Sequence, residues 1–179
     1  MSKISIFEKA KDRLFAACFE PDQKDELDKT FDLWHDFEDL RTFFIQYRKD
    51  LGEFAPELSV KDAVKQALTE AEMIYDSLIE FSDHDKLDEL FKPLDNRELE
   101  QSRYEFQKSK AKAGIRKSIL RVYAVKFRDW YVITGSAIKL TDQMDGRPHL
   151  KKELKKLELV RKLLQEGNSE GSFVYLDID

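Results

Sequence analysis

The apolar residues of this chain change their spacing partway along it, and that change limits the folds it can adopt. Over residues 22–86 they recur every three or four positions, as on the buried face of an α-helix. From Tyr104 the spacing becomes two, as in a β-strand that buries one face. Helices followed by neighbouring strands predict an α+β fold.

Capping residues predict where the helices begin. Asp36 is a candidate N-cap, and Ser59 followed by Asp62 indicates the start of a long helix. Gly52 and Pro56 are expected to end the helix that begins at Asp36. Upstream, the apolar run 13–20 is compatible with a strand or with the end of a helix, and residues 1–11 carry no clear pattern.

The second half predicts a three-stranded antiparallel meander. A first strand covers residues 104–112, a second runs from Leu120 to Phe127, and a tight turn at Arg128 and Asp129 leads into a third. Gly135 interrupts the third strand and indicates either a bulge or the close approach of another part of the chain.

A C-terminal helix follows the meander, and Gly167 is expected to end it. The tail 172–179 contains a strand-like piece that either packs back or adds an edge strand. We therefore expect one domain, 1–179, with an N-terminal strand, helices, the meander and a C-terminal helix.

Charge is distributed unevenly along the chain. Residues 103–162 contain 17 Lys and Arg against 6 Asp and Glu, whereas residues 1–102 contain 14 against 26. The net charge of −5 thus combines two strongly opposed regions. Such asymmetry indicates an anionic partner, and nucleic acid is the first candidate.

Several classes of site are absent from the sequence. A single cysteine, Cys18, excludes an internal disulfide, and no Cys/His spacing suits zinc. Because Cys18 lies in an apolar run, we expect a buried thiol. No glycine-rich phosphate loop, nucleophile elbow or apolar run of membrane-spanning length is present. We expect a cytoplasmic protein with no cofactor, no bound metal and no membrane partner.

Residues 89–162 resemble the RelE/ParE toxin superfamily, most closely its HigB-like, phage-associated branch. The likeness lies in the order and spacing of short phrases. Phe91-Lys92-Pro93-Leu94 is similar to the "kpL…eLR" phrase, and Leu120-Arg121-Val122-Tyr123 to the "yRifyf" strand. Residues 131–135 and 138–141 are similar to "ivlLhgF.KKT". On this comparison, residues 22–86 are a helical elaboration, 87–165 a RelE-like sheet and helix, and 172–179 a tail.

The resemblance implies a toxin of a type II toxin–antitoxin system. Its partners would be RNA, usually ribosome-bound mRNA, and a cognate antitoxin protein. The implied reaction is metal-independent cleavage, in which a ribose 2′-hydroxyl attacks its own phosphate. Cations must then stabilise the developing charge, and one group must move a proton. Arg121 matches the arginine of "yRifyf" and Lys139 the first lysine of "KKT"; with Lys110 they form the candidate catalytic set.

Further basic and aromatic residues are candidates for RNA binding. Lysines 108, 110 and 112 are spaced by two, so on a strand they share one face and could hold a phosphate. Tyr123 or Tyr131 could stack on a base. The full set of candidate RNA contacts is Lys108, Lys112, Arg116, Lys117, Tyr123, Lys126 and Arg128.

Two alternatives stay open at this stage. The lysine row can be a solvated strand face that discourages aggregation. The chain can also be a non-catalytic interaction module, or a phage-derived accessory protein, on the same fold. In that case the acidic helices bind a basic partner or cover the basic sheet. Leu140 stands where the superfamily pattern has its second lysine.

Overall fold

A computed structural model describes residues 3–83, 86–93, 106–113, 115, 117–141, 147–170 and 175–177 of the chain. Side chains are not described for residues 93, 106–109, 167–170 and 175–177. The described residues form seven strands and six helices. The strands are β1 (Ile4–Ala10), β2 (Leu14–Phe19), β3 (Lys92–Pro93), β4 (Phe106–Ala111), β5 (Leu120–Phe127), β6 (Trp130–Ile138) and β7 (Tyr175–Asp177). The helices are α1 (Glu26–Trp34), α2 (Phe37–Gln46), α3 (Arg48–Phe54), α4 (Val60–Asp83), α5 (Leu87–Leu90) and α6 (Pro148–Glu170).

All the strands belong to one sheet in the order β3-β4-β5-β6-β2-β1-β7. The pairs β4–β5 and β5–β6 are antiparallel, as the predicted meander requires. The N-terminal hairpin β1–β2 joins the meander through a parallel pairing of β2 with β6. The tail adds β7 as an edge strand parallel to β1. The predicted α+β class is confirmed.

The predicted helix starts are also confirmed. The carboxylate of Asp36 accepts a hydrogen bond from the amide of Asp39 at 3.0 Å. Ser59 Oγ accepts from the amide of Asp62 at 3.1 Å and donates to the carboxylate of Asp62 at 2.9 Å. These bonds satisfy amides that have no partner within the helix, which is why short polar residues mark helix starts.

Other local expectations were wrong. Strand β1 was not predicted, because its sequence ISIFEKA mixes apolar and charged residues. Gly52 lies inside α3 and Gly167 lies inside α6, so neither residue ends its helix. Glycine costs a helix interior only about 1 kcal/mol relative to alanine, and the surrounding structure can outweigh that cost.

Both faces of the sheet are covered, by different helices. Helices α1 to α5 pack on one face, in a core that includes Trp34, Phe44 and Ile74. Helix α6 packs on the other face through Leu150, Leu157, Val160 and Leu164. Cys18 is buried, as expected. Across the described ranges, every helix is too short or too polar to cross a membrane.

The predicted irregularity at Gly135 is a β-bulge. Tyr123 pairs with Gly135 but Ala124 pairs with Ile133, so Thr134 is the extra residue. A side chain at position 135 would have no room. Its Cβ would overlap Glu153 Oε2 and lie 2.7 Å from Lys156 Nζ, and the φ of +158° also favours glycine.

The surroundings of Gly135 and Gly52 predict that alanine has opposite effects on stability at the two positions. Gly135→Ala should lower the free energy of unfolding by about 1–3 kcal/mol, because the largely buried side chains of Glu153 and Lys156 on α6 must move to admit the methyl group. Gly52→Ala should raise it by about 0.5–1 kcal/mol, because no atom lies within 4 Å of its Cβ position and the backbone is helical. Urea denaturation measures both changes. Equal effects of the two substitutions would contradict the close packing of α6 on the bulge.

Candidate nucleic-acid interface

The lysine row of β4 shares the α6 side of the sheet. Lys110 pairs with Tyr123, and Lys108 pairs with Val125. Tyr123 and Val125 belong to the core beneath α6, and directly paired residues project to the same face. Lys112 follows the strand and is exposed. The shared face predicted from the spacing is thus present, although the side chain of Lys108 lies outside the described residues.

Arg121 lies near the start of β5, and its side chain projects to the same face of the sheet. It pairs with Ala137 of β6, which also belongs to the core beneath α6. Its guanidinium is half-buried, and Nη1 donates to Ser118 O, Ser118 Oγ and Leu120 O at 2.9–3.0 Å. Within the described part of the chain, no carboxylate forms an ion pair with Arg121.

Burial lowers the pKa of Arg121 from its ordinary value, and the nearby Tyr123 and Glu70 oppose that shift. An arginine stays charged at neutral pH even so, because its ordinary pKa exceeds 12. The arrangement is therefore a positive charge that hydrogen bonds orient, with no direct ion pair to a carboxylate of the described residues.

Lys139 lies at the same end of the meander as Arg121. Its amide donates to Ile119 O at 2.7 Å, just beyond the pair of Leu120 with Ile138. The neighbours Ile138 and Leu140 point into the α1–α5 core, so Lys139 faces the α6 side by alternation. The structure thus brings Lys110, Lys112, Arg121 and Lys139 to one end of one face. We call these four residues the cationic end.

Tyr123 occupies the centre of this face but cannot stack on a base. Its side chain is enclosed between the sheet and α6, with 1 % of its surface exposed. Burial raises the pKa of Tyr123 to about 12, Arg121 opposes this shift and Glu153 adds to it. The hydroxyl has no hydrogen-bond partner among the described residues. Tyr123 is therefore a neutral, buried neighbour of Arg121.

Tyr131, the other predicted stacking residue, is buried on the opposite face. Its ring stacks on Phe91 with centroids 4.5 Å apart, and its hydroxyl donates to Asp88 at 2.6 Å. Burial, followed by the bond to Asp88, raises the pKa of Tyr131. The expectation of base stacking by either tyrosine is wrong for the arrangement seen here, because both faces of the sheet are covered.

Three other predicted contacts lie away from the cationic end. Lys126 faces the α1–α5 side and pairs with Asp88 at 2.7 Å. Arg128 lies in the turn at the far end of β5, with a φ of +55°. Lys117 donates to Phe54 O at 3.3 Å beside α3. Arg116, the remaining candidate, lies outside the described residues.

Helix α6 adds exposed cations to the side that carries the cationic end. It packs across β4, β5 and β6. Its exposed lysines are Lys151, Lys152, Lys155 and Lys162. The acidic helices pack mainly on the opposite face, so much of the charge asymmetry of the sequence becomes a difference between two sides of the molecule. The two groups meet at one edge, where Glu26 of α1 pairs with Lys156 of α6 and Asp50 of α3 pairs with Arg147, both at 2.8 Å.

The sequence did not reveal the role of Glu70. This residue of α4 is fully buried, and its carboxylate accepts from the amide of Ile119 at 2.9 and 3.0 Å and from that of Leu120 at 3.3 Å. It thereby fixes the segment that precedes Arg121. A usable signal was present, because Glu70 interrupts the small and apolar residues that line the buried stripe of α4.

No protein-family model, curated protein or solved structure matches this chain. The resemblance to the RelE/ParE superfamily therefore stays a prediction from the residues.

Replacing Glu70 tests its anchoring role. Glu70→Gln keeps the shape but removes the charge and one acceptor oxygen, so we expect the free energy of unfolding to fall by about 1.5–3 kcal/mol. Glu72→Gln, on the exposed side of the same helix, should change it by less than about 0.5 kcal/mol. Urea denaturation of both variants measures the difference. Matching stabilities would contradict the anchor.

The raised pKa of Tyr123 predicts that the protein loses stability at alkaline pH. Its folded pKa of about 12 lies above the ordinary value of 10.0, so the unfolded chain loses this proton first. The stabilising contribution is full below pH 10 and disappears as the pH rises to about 12, which amounts to about 2–3 kcal/mol. Tyr123→Phe should lack this component, whereas Tyr75→Phe, at a tyrosine that is 48 % exposed, should retain it.

Urea denaturation between pH 8 and pH 11.5 measures this contribution as the difference between wild type and Tyr123→Phe. A difference that stays constant over that range would show that the hydroxyl is not held neutral by burial.

Proposed function

We propose that this protein binds RNA through the α6 side of its meander and cleaves it as a RelE/HigB-like toxin. The observation that carries the proposal is the gathering of Lys110, Lys112, Arg121 and Lys139 on one face, while the acidic helices cover the other. An RNA strand approaching this side meets the cationic end together with the exposed lysines of α6. The expected partners are ribosome-bound mRNA and a cognate antitoxin protein.

Binding begins with the phosphates. Lysines supply positive charge that an RNA backbone can approach from several directions, and each phosphate contact releases a condensed counterion. Arg121 adds a planar donor whose bonds to Ser118 and Leu120 all use Nη1. Its Nε and Nη2 hydrogens are thus oriented for a phosphate. Because its position is already fixed, little conformational entropy is lost when it binds.

Cleavage requires attack of the ribose 2′-hydroxyl on the adjacent phosphorus. The bond to the 5′-oxygen of the next nucleotide breaks, and a cyclic phosphate forms. Arg121 and Lys139 stabilise the charge that builds on the phosphate oxygens. The ammonium group of Lys110 donates a proton to the departing 5′-oxygen and regains one from solvent, while the proton of the 2′-hydroxyl is released to water. Tyr123 cannot act as a base near neutral pH, because its pKa is about 12. Tyr123 is therefore a neutral, buried neighbour of Arg121 and takes no part in the proton transfer.

Induction in cells tests the proposal. Wild-type protein should arrest growth and fragment mRNA, and Arg121→Ala or Lys110→Ala should reduce cleavage by about 100-fold or more, the usual effect of removing one charge-stabilising group. Arg128→Ala removes the same charge from the exposed far end of the strand and should leave cleavage unchanged. Equal effects of Arg121→Ala and Arg128→Ala, in variants with wild-type melting temperatures, would disprove the assignment.

One observation favours a non-catalytic module instead. Part of the hydrogen-bonding capacity of Arg121 goes to the protein's own backbone, as in a structural arginine. A binding module would retain RNA at low salt and leave mRNA intact after induction. The same induction experiment, with RNA binding measured on the purified protein, separates the two functions.

A further inference from the structure

An apolar groove lies on the acidic side of the molecule, opposite α6. It is formed by α1, α4 and the end of the β1–β2 hairpin, and encloses about 640 Å³. Its lining includes Leu27, Phe31 and Leu78. Leu78 is buried, whereas the two α4 residues at the rim, Tyr75 and Ile79, are 48 % and 47 % exposed.

The rim residues form a continuous apolar strip. Tyr75 and Ile79 are four positions apart, so they lie one above the other on α4. The ring of Phe31 meets that of Tyr75 edge-on, with centroids 5.1 Å apart, and so joins the two helices across the groove. Large apolar side chains beside an open groove differ from scattered surface residues, because a partner can cover them together.

Acidic residues of α4 flank this strip. Residues 66–83 contain five Asp and Glu and no Lys or Arg. Glu72, Asp76, Glu80 and Asp83 of this stretch are exposed on α4. The C-terminal end of α4 adds the partial negative charge of its carbonyl groups.

The lysines at the groove do not offset this charge. Lys9 pairs with Asp28 at 3.0 Å and also with Asp25, and Lys24 pairs with Asp32 at 2.5 Å. Their charges are matched by acids of α1 and its N-cap, so the carboxylates of α4 supply the excess at the rim.

We propose that this groove binds a Lys- and Arg-rich amphipathic helix of a partner protein. Apolar side chains at helical spacing would fill the groove against Phe31, Tyr75 and Ile79, as in other helix-in-groove complexes. Flanking cations would meet the exposed carboxylates of α4. The segment from Tyr75 to Asp83 covers about 12 Å of helix, enough to contact two turns of a partner. This inference does not depend on the RNA site, which lies on the other face.

Fluorescence anisotropy with the full-length protein provides the test. The probe is a labelled synthetic 15-residue peptide of leucine and lysine, with leucine at positions i, i+3, i+4 and i+7. The comparison peptides are a scrambled sequence of the same composition and a peptide with glutamate in place of lysine. We expect the amphipathic lysine peptide to bind, the scrambled peptide to bind at least tenfold more weakly, and the glutamate peptide not to bind.

Neutral substitutions separate the groove from general attraction of charge. Ile79→Gln and Tyr75→Gln keep the net charge and should each weaken binding about tenfold or more, since each removes a buried apolar contact. Ile45→Gln changes a residue of α2 that is 44 % exposed and does not line the groove, and should leave binding unchanged.

Four results would overturn the proposal. The first is unchanged binding by Ile79→Gln and Tyr75→Gln, and the second is equal binding of the scrambled and amphipathic peptides. The third is absence of binding at 100 μM peptide, roughly the weak end of specific recognition. Sedimentation of the protein alone adds a fourth. Self-association that Ile79→Gln abolishes would assign the groove to a second copy of the chain.

Discussion

The carboxylate of Glu70 holds together three parts of the molecule that are distant in sequence. It accepts hydrogen bonds from the amides of Ile119 and Leu120, while Ile119 O accepts from the amide of Lys139. A buried carboxylate is costly unless hydrogen bonds replace its water, and the two backbone amides and Gln66 supply those bonds. The segment before β5 is therefore fixed against α4. Arg121 is bonded to Ser118 and Leu120 of that segment, so an acidic helix on one side of the sheet orients a cation on the other.

Strand alternation determines which charges meet and which stay apart. Leu120, Val122 and Ala124 enter the core under α1–α5, whereas Tyr123 and Val125 enter the core under α6. One helix covers less of a sheet than five do, so the α6 side keeps exposed or half-buried lysines at its edges. On the other side, the ammonium group of Lys126 forms an ion pair with Asp88. The same two-residue period thus places Lys126 on one face and the cationic end on the other.

Local rules predicted much of this fold from the sequence, and they failed where distant contacts decide the outcome. The caps at Asp36 and Ser59 and the bulge at Gly135 depend on near neighbours or backbone freedom, and these predictions are confirmed. Strand β1 depends on pairing with β2 and β7, and only Ile6 of its residues is fully buried. At the site, spacing predicted the shared face of Lys108 and Lys110. It could not predict that Tyr123 is enclosed, because alternation shows that one face is apolar but not that a helix covers the other.

The cationic end and the acidic face of α4 are weakly coupled because salt screens exposed charges. The sheet and a helix layer lie between them, with about 10 Å between layers, and the Debye length at physiological ionic strength is about 8 Å. Direct contact between acids and α6 lysines is confined to one edge, where Glu26 pairs with Lys156. A net charge of −5 therefore does not prevent an anion from binding the cationic end. It does restrict the approach, since RNA arriving from the acidic side is repelled. A basic partner on the α4 groove would reduce that repulsion without occupying the RNA site, and the two ligands would bind without competing.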